Sequence, residues 1–401
     1  MSRAWLTPWR LRVYPRLLLA AMGLALLLAL SGGDGARIVS GRLGGDFAEF
    51  YAAGRIVRSG RPEAIHDPAV QREAQRDLMP DVRDGYVPFA YPPHFALPYA
   101  LLAALPYRTA FALHLACMAA LLFACVRLTC RDLSWAAPYP AAVFCAVVLF
   151  YPLFRALLGG QNTPLTLFLC AAAWTLERRG RPVSAGLCLS LLCYKPQFGL
   201  GLLGLYLLAG RWRLAAAGAC GVAGLVILDM VLFGPSWATT WLAQADWVVR
   251  TSLAGEGEKA VSLPGVCRHL LADAPGPALV LGLGLAFLVL VCLGLVFWRR
   301  RNRPLPLAGL GLAASGLLLA APHAYYYDAG LLFFPALALA DRYRPQAPAV
   351  LGGLWLLGLA QPLAGSLGVS PLFPAALACF GWLLLGPFRS DFLSMRSDHG
   401  T

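Results

Sequence analysis

Charge is what this sequence most lacks. Only 13% of its 401 residues are charged, whereas 59% are hydrophobic, and the mean hydropathy is +0.64. A soluble domain carries about 25% charged residues and roughly 45–50% apolar ones. So little charge over this length excludes an ordinary soluble globule, a disordered chain and a nucleic-acid-binding domain. The composition therefore predicts an integral membrane protein.

Familiar catalytic and metal-binding motifs are missing too. The sequence has no P-loop, no GxGxxG after a strand, no HExxH and no GxSxG. None of the eleven cysteines forms a CxxC pair or has a histidine at zinc spacing. The predicted cytoplasmic loops also lack a DxD-like pattern for a metal-bound nucleotide sugar. An enzyme of this kind would take its activated substrate from the lipid, and nothing in the sequence demands a metal or another cofactor.

Long apolar runs dominate the rest of the chain. Because about 20 apolar residues cross a bilayer as a helix, we predict an all-α polytopic membrane protein with about twelve transmembrane helices. The first run is short enough for a cleaved signal peptide, but its long basic n-region favours a retained helix. Two consecutive runs are too short to span upright, which predicts a broken helical hairpin at 183–209. The runs are 15–30, 107–127, 136–154, 163–176, 183–194, 197–209, 213–233, 277–298, 304–321, 325–340, 347–364 and 370–387.

The basic residues predict how the chain is oriented. Lysine and arginine accumulate in cytoplasmic loops. With the N-terminus inside, the cytoplasmic segments hold 19 of the 33 basic residues, and the short opposite turns hold only Arg155 and Lys195. The net charge of +13 thus reflects topology, and no nucleic-acid partner is expected. This topology predicts one integral domain, residues 1–401, in the cell (inner) membrane. Its two long extracytoplasmic loops are predicted at 31–106 and 234–276.

Unusual polar residues gather on the extracytoplasmic side of this topology. Ionisable groups at membrane depth are functional by default, because desolvating them is costly. We therefore predict an extracytoplasmic active site. The candidate residues are Asp46, Glu49, Tyr91–His94, Arg155, Gln161, Asn162, Lys195, Gln197, His323 and Tyr325–Asp328.

The residues alone leave two interpretations open for each of the acidic and basic candidates. Asp46 and Glu49 form a D-x-x-E helix start, typical of an N-cap, but Asp46 could also be a general base. Lys195 could snorkel to the headgroups or serve as a fixed cation for an anionic group such as a lipid phosphate. Arg155 could do the same or act as an interfacial anchor.

Two interpretations are also open for His323 and for the pair Gln161 and Asn162. His323 could be an ordinary hydrogen-bonded histidine in an aromatic belt, or a donor or acid beside a phosphate. Gln161 and Asn162 could cap the helix predicted to begin near Thr163, or bond the hydroxyl groups of a sugar.

The order of several short motifs adds a family resemblance. The motifs are Gly-Gly-Asp46-Phe-x-x-Phe-Tyr51-Ala-Ala-Gly, Tyr91-Pro92-Pro93, Gly160-Gln161-Asn162, Ala185-Gly186 leading to Lys195-Pro196, and Pro322-His323-x-Tyr-Tyr. Over about residues 15–345 this set resembles glycosyltransferase family 87, the polyprenyl-phosphate-mannose-dependent mannosyltransferases.

The resemblance implies a C-type glycosyltransferase fold and transfer of a hexose, mannose being expected, from a polyprenyl-phosphate sugar with inversion. The partners would be this donor, a lipid or glycan acceptor and membrane lipids. Asp46 matches the family's base and His323 its histidine beside the donor phosphate. Lys195 occupies the matching Lys-Pro position, and from their charge, not from the resemblance, we expect Lys195 and Arg155 to be further phosphate ligands. The expected substrate-binding residues are Glu49, Tyr51, Tyr91, Gln161, Asn162, Gln197 and Tyr326.

Two other functional classes compete with this interpretation. A transporter or flippase for a lipid-linked or small anionic substrate would also have many helices. Such proteins often show internal repeats and midplane ionisable residues, whereas this sequence shows no repeat and its polar groups lie at one surface. A non-catalytic assembly or scaffold protein is the third class.

Overall fold

The computed structural model describes residues 7–31, 44–76, 78 and 86–386, and every regular element in these ranges is helical. The α-helices are α1 (Pro8–Ser31), α2 (Phe47–Arg58), α3 (Pro68–Gln75), α4 (Leu97–Leu102), α5 (Tyr107–Cys130), α6 (Pro140–Leu149), α7 (Tyr151–Gly159), α8 (Thr163–Arg178), α9 (Pro182–Leu192), α10 (Pro196–Leu208), α11 (Trp212–Phe233), α12 (Trp237–Glu256), α13 (Leu263–Leu270), α14 (Pro275–Arg299), α15 (Leu307–Ala320), α16 (Phe333–Arg342), α17 (Ala347–Leu359), α18 (Ala364–Leu367) and α19 (Leu372–Leu385). Short 3₁₀ helices span Pro62–Ala64, Pro93–Ala96, Gly257–Lys259, Asp328–Leu332, Arg344–Gln346 and Gln361–Leu363.

Each predicted apolar run contains one of these helices or a pair of them. In the described part of the chain, α1, α5, α11 and α14 are long and apolar enough to cross a membrane. Two bent pairs, α6 with α7 and the Arg344–Leu359 segment with Gln361–Leu367, raise the number to six. The helices α9, α10, α15 and α19 are apolar but shorter. An all-helical membrane protein is therefore confirmed, whereas the count of twelve spans stays a prediction.

The run 136–154 is the clearest difference from the predicted boundaries. It is not one straight helix, because α6 and α7 meet at a bend of 77°. Pro152 is the second residue of α7. A proline lacks the N–H that a continuous helix would need at this point, but it is tolerated in the first turn of a new helix. The chain therefore starts a new helix at Tyr151.

The chain divides into two compact units. The first comprises Met1–Leu149, Leu153–Phe168 and Ala223–Val248. Its core includes an aromatic cluster around α2, in which Phe50 stacks on Tyr99 with ring centroids 4.9 Å apart. Phe47 and Phe50 are completely buried. The helix start that the D-x-x-E pattern indicates in the first long loop is thus present as α2, and this helix is tightly packed.

The second unit comprises Phe150–Pro152, Leu169–Val222 and Val249–Thr401. Its most enclosed helix is α15, where every residue from Gly309 to Leu319 is buried. The predicted broken hairpin is present as α9 and α10, which are joined by three residues. A Cβ at Gly199 would lie 2.7 Å from the Cys193 nitrogen, so only glycine permits so close a return of α10 toward α9.

Candidate functional site

Asp46 lies where two sequence motifs of the first unit meet. It directly precedes α2, and its backbone N–H donates to the Gly159 carbonyl over 2.9 Å. The Gln161 amide Nε2 donates to Asp46 Oδ2 over 3.1 Å. The turn that carries Gln161 touches the start of α2, because a Cβ at Gly160 would lie 2.6 Å from Phe47 Cβ. The Gly-Asp and Gly-Gly-Gln motifs are thus brought together by direct packing.

The N-cap interpretation of Asp46 is wrong. Its side chain makes no capping hydrogen bond, and its backbone is helical, with φ −77° and ψ −20°. An N-cap residue normally has extended backbone that turns its oxygen toward the N–H groups of the first turn. Here the side chain instead accepts a hydrogen bond from Gln161. The D-x-x-E spacing therefore serves neither a cap nor a capping box through Asp46.

Asn162 has a structural partner beside this turn. It is completely buried, and its Oδ1 accepts a hydrogen bond of 2.7 Å from the Tyr99 hydroxyl. Burial raises the pKa of Tyr99, so its hydroxyl stays protonated and able to donate. Gln161 is also buried, and within the described structure its Oε1 has no hydrogen-bond partner. Gln161 therefore keeps an acceptor oxygen beside the carboxylate to which its amide nitrogen donates.

The other candidates of the first unit occupy varied settings. Glu49 is buried in the first turn of α2. The Tyr51 hydroxyl donates to the Leu105 carbonyl over 2.8 Å. Tyr91 is half-buried, with its ring 5.2 Å from that of Phe50. Arg155 is half-buried in α7, one turn before the Gly-Gly-Gln motif.

Lys195 in the second unit is buried and ion-paired. Only 5% of the residue is exposed, and its Nζ lies 2.5 Å from Asp328 Oδ1. Asp328 Oδ2 also accepts a hydrogen bond of 3.3 Å from the Tyr325 N–H. Snorkelling is therefore the wrong interpretation, since a snorkelling amine reaches water. Gln197 lies half-buried in the first turn of α10.

The predicted helix start at Tyr325 is also wrong. Residues 321–327 are not helical, and the next helix begins at Asp328. The backbone here bonds to the second long loop: the Val261 N–H donates to the Ala324 carbonyl, and the Tyr326 N–H donates to the Lys259 carbonyl. These hydrogen bonds hold the tyrosine segment against that loop, which excludes helix at that point.

His323 lies in this non-helical segment, outside the candidate spanning helices. Its ring centroid is 4.5 Å from that of Tyr325 in an edge-on arrangement. Burial lowers the pKa of His323 to about 4, an effect that Asp328 partly opposes and Lys195 and Arg268 reinforce. The imidazole is therefore neutral near pH 7 and can donate one N–H. Tyr326 packs on Tyr151, with ring centroids 6.0 Å apart.

Asp229 is a buried polar residue that no motif in the sequence had singled out. This acid lies in α11, is 1% exposed, and holds His94 through two contacts. Its Oδ1 accepts from the His94 backbone N–H over 2.7 Å, and its Oδ2 lies 2.8 Å from His94 Nδ1. The available signal was an isolated carboxylate inside the apolar run 213–233.

Comparison with known proteins assigns the chain to a family. The sequence model of glycosyltransferase family 87 matches residues 89–322, more than half of the chain. The chain belongs to glycosyltransferase family 87. No curated protein and no solved structure matches it.

Family membership and the apolar helices together make the protein a membrane-embedded glycosyltransferase. The matched stretch of this family 87 chain includes Tyr91, the Gly-Gly-Gln-Asn turn and Lys195. Asp46 precedes the stretch, and His323 is the first residue after it. The roles of these two residues therefore depend on their own geometry and chemistry.

Proposed function

We propose that this glycosyltransferase transfers a hexose, with mannose expected, from a polyprenyl-phosphate sugar to a lipid or glycan acceptor. The reaction takes place at the extracytoplasmic face of the cell (inner) membrane, in a C-type fold with about twelve spans. The observation that carries the proposal is the hydrogen bond from Gln161 to Asp46. It joins two motifs of the proposed active site at a single carboxylate.

Asp46 is the general base in this proposal. Asp46 is half-buried, and its side chain makes no capping hydrogen bond. The Gln161 amide orients the carboxylate, and the N-terminus of α2 favours its charged form. A base must be both ionised and positioned within hydrogen-bond reach of the proton that it removes. These features support Asp46 in that role.

The proposed reaction is a single displacement. The acceptor oxygen attacks the anomeric carbon of the donor while Asp46 takes the hydroxyl proton. A new C–O bond forms, and the bond between the anomeric carbon and the phosphate oxygen breaks. The polyprenyl phosphate leaves with that electron pair, and the anomeric configuration inverts. Written in this way, the step does not require a metal or another cofactor.

The leaving phosphate needs positive charge and hydrogen-bond donors. We assign Lys195 as the cation and the neutral His323 as a donor, and Arg155 stays a predicted phosphate ligand. Fixed groups of this kind stabilise charge as it develops in the transition state. The polar side chains of Glu49, Tyr51, Tyr91, Gln161, Asn162, Gln197 and Tyr326 remain the proposed substrate-binding set.

Replacement of Asp46 by asparagine tests the base. The asparagine side chain would preserve size and hydrogen bonding but cannot accept a proton near neutral pH. General-base contributions are about 10²–10⁴-fold, so we expect Asp46→Asn to fold normally and lose turnover by about that factor. The measurement is transfer of radiolabelled mannose from a polyprenyl-phosphate donor by purified protein in lipid, with the yield of folded protein checked alongside.

Asp67→Asn is the matched control. Asp67 is a true N-cap, because its Oδ1 accepts hydrogen bonds from the Ala69 and Val70 N–H groups at the start of α3. Asparagine caps as well as aspartate, so this variant should transfer sugar at the wild-type rate. Transfer by Asp46→Asn at more than about a third of the wild-type rate would show that the base lies elsewhere, with Glu49 the next residue to test.

A further inference from the structure

His94 and Asp229 form a carboxylate–imidazole pair that the proposed reaction does not use. The carboxylate contacts both the backbone N–H and the Nδ1 of the same histidine, at 2.7 and 2.8 Å. The side chains are 13% and 1% exposed. Two oxygens of one acid therefore hold one imidazole at a defined position and orientation.

The carboxylate of this pair lies inside a candidate membrane span, where a purely structural contact would cost more free energy than a neutral one. Asp229 lies in α11, a candidate membrane span, and a carboxylate within a span is costly to desolvate. A neutral side chain could fasten the same loop to the helix at less cost. His94 Nε2 is buried, and within the described structure it has no hydrogen-bond partner. A buried polar atom with no partner is normally rare.

The other histidine of this loop provides a contrast. His66 is buried, and its Nε2 lies 3.0 Å from the Tyr91 carbonyl oxygen. That contact uses the nitrogen within the protein, as expected of a structural histidine. In His94 the corresponding nitrogen has no such partner within the described structure.

Aromatic residues close to His94 in the sequence pack on α2, the helix that directly follows Asp46. Its neighbours in the chain, Tyr91 and Phe95, pack on Phe50 of α2, with ring centroids 5.2 and 6.0 Å away. All of these residues belong to the first unit. The imidazole is thus carried by the same packed cluster that supports the proposed base.

We propose that His94, positioned by Asp229, binds a hydroxyl group of the sugar acceptor. The hydrogen bond that one imidazole nitrogen makes determines which nitrogen carries the proton. In the neutral imidazole whose Nδ1–H donates to the Asp229 carboxylate, Nε2 presents a lone pair, and its natural partner is a hydroxyl donor. The inference rests on the proposed transferase function and assigns acceptor recognition to a second position in the first unit.

Two substitutions separate hydroxyl binding from fastening of the loop. In His94→Asn the amide nitrogen takes the place of Nδ1 and keeps the bond to Asp229, but nothing replaces Nε2. In His94→Gln the amide reaches the position of Nε2 and can still accept from a hydroxyl. We expect about a tenfold rise in acceptor KM for the asparagine variant, as the loss of one buried hydrogen bond predicts, and partial recovery for glutamine. Asp229→Asn should also raise the acceptor KM, because the ring loses its fixed tautomer.

The assay uses farnesyl-phosphate mannose as donor and n-octyl α-mannoside as acceptor, each titrated separately. The donor KM should stay at the wild-type value in all three variants. His66→Gln is the matched control, since glutamine can keep the bond to the Tyr91 carbonyl, and it should leave both KM values unchanged. A wild-type acceptor KM in His94→Asn, or an equal rise in the donor KM, would overturn the assignment while leaving Asp46 as base. A wild-type protein that transfers no mannose would contradict the proposed function itself.

A second measurement needs neither a variant nor turnover. The ¹⁵N resonance of His94 Nε2 in the wild-type protein should move when n-octyl α-mannoside is added, because the lone pair becomes hydrogen-bonded. The resonance of His66 should not move. An unchanged His94 resonance at saturating acceptor would overturn the inference even if the variants fail to fold.

Discussion

Lys195 and Asp328 form a buried ion pair in the second unit, and the proposed function assigns the lysine of this pair to the donor phosphate. Both side chains are less than a tenth exposed, so both charges are largely removed from water. Lys195 Nζ also lies 5.7 Å from the centroid of the Tyr327 ring. Such an arrangement holds the ammonium group in place. The proposed donor phosphate would meet a cation that is already oriented.

Neutralising this pair one residue at a time tests the proposed role of Lys195. Removing one partner of a buried ion pair leaves the other charge uncompensated, which costs about 3–5 kcal/mol. Lys195→Gln and Asp328→Asn should therefore both lower the free energy of unfolding. A charged hydrogen bond is worth about 1.5–3 kcal/mol, so Lys195→Gln should also reduce kcat/KM for the donor about tenfold to hundredfold. Thermal unfolding and transfer kinetics measure the two effects.

The double variant Lys195→Gln/Asp328→Asn separates structure from phosphate binding. Removing both charges leaves no uncompensated charge, so stability should largely return. Donor kinetics should remain impaired, and Lys195→Arg should retain more activity than Lys195→Gln. Wild-type donor kinetics in the double variant would reduce Lys195 to a structural residue.

At the scale of elements, the turn between α7 and α8 determines where Gln161 lies. Gly160 has φ of +84°, and its Cα faces the first residue of α2. A side chain there would meet both an unfavourable backbone conformation and the Phe47 backbone, whose N and Cα would be 3.1 Å from the new Cβ. The turn therefore packs directly on the first residue of α2, and a side chain at position 160 would force the two apart.

Replacement of Gly160 by alanine should disturb both stability and the Asp46 site. The left-handed conformation costs about 1–2 kcal/mol for an L-residue, and contact with Phe47 adds to that cost. We expect a lower unfolding temperature together with loss of sugar transfer, since Gln161 would move away from Asp46. Thermal unfolding and transfer assays in lipid check both expectations.

Gly60→Ala provides the matched control for this variant. Gly60 has φ of +76°, but no atom lies within 4 Å of a Cβ built there. It therefore carries the backbone cost without the steric one. Equal losses of stability and unchanged transfer in the two variants would contradict the importance of the contact with Phe47.

At the scale of the whole molecule, the distribution of basic residues predicts the orientation in the membrane. In the described residues, four helices are long and apolar enough to span the membrane, and counting each bent pair as one span raises the number to six. Four further apolar helices are shorter. The distribution of 19 basic residues against two in short turns predicts cytoplasmic termini and an extracytoplasmic first loop. Arg3, Arg389 and Arg396, which contribute to that count, lie outside the described residues.

Reporter insertions at Gly60 and Gly180 should identify opposite sides of the membrane. Both glycines have positive φ, and a Cβ at either would contact nothing, so insertions there should disturb the fold little. Alkaline phosphatase should be active at Gly60 and inactive at Gly180, and green fluorescent protein should report the reverse. The same side for both positions would contradict the predicted topology.

Local signals in the sequence determined the class of this protein and most of its helices. Hydropathy along the chain predicted the apolar helices, because burial in lipid demands continuous apolar residues and internal backbone hydrogen bonds. The shortness of the two runs at 183–194 and 197–209 likewise predicted the broken hairpin. The ordered motifs were enough to suggest the family. Each of these features depends on residues that are near one another in the sequence.

Tertiary structure alone decided which side chains meet. The contacts between Asp46 and Gln161, Lys195 and Asp328, and His94 and Asp229 join residues 115, 133 and 135 positions apart. Sequence spacing indicated a cap at Asp46, but packing of the Gly-Gly turn on α2 brought Gln161 to its carboxylate. Pairing with the second long loop similarly removed the expected helix at Tyr325. Local propensity could not predict these outcomes, because each depends on how distant elements pack and on which polar groups burial leaves to be satisfied.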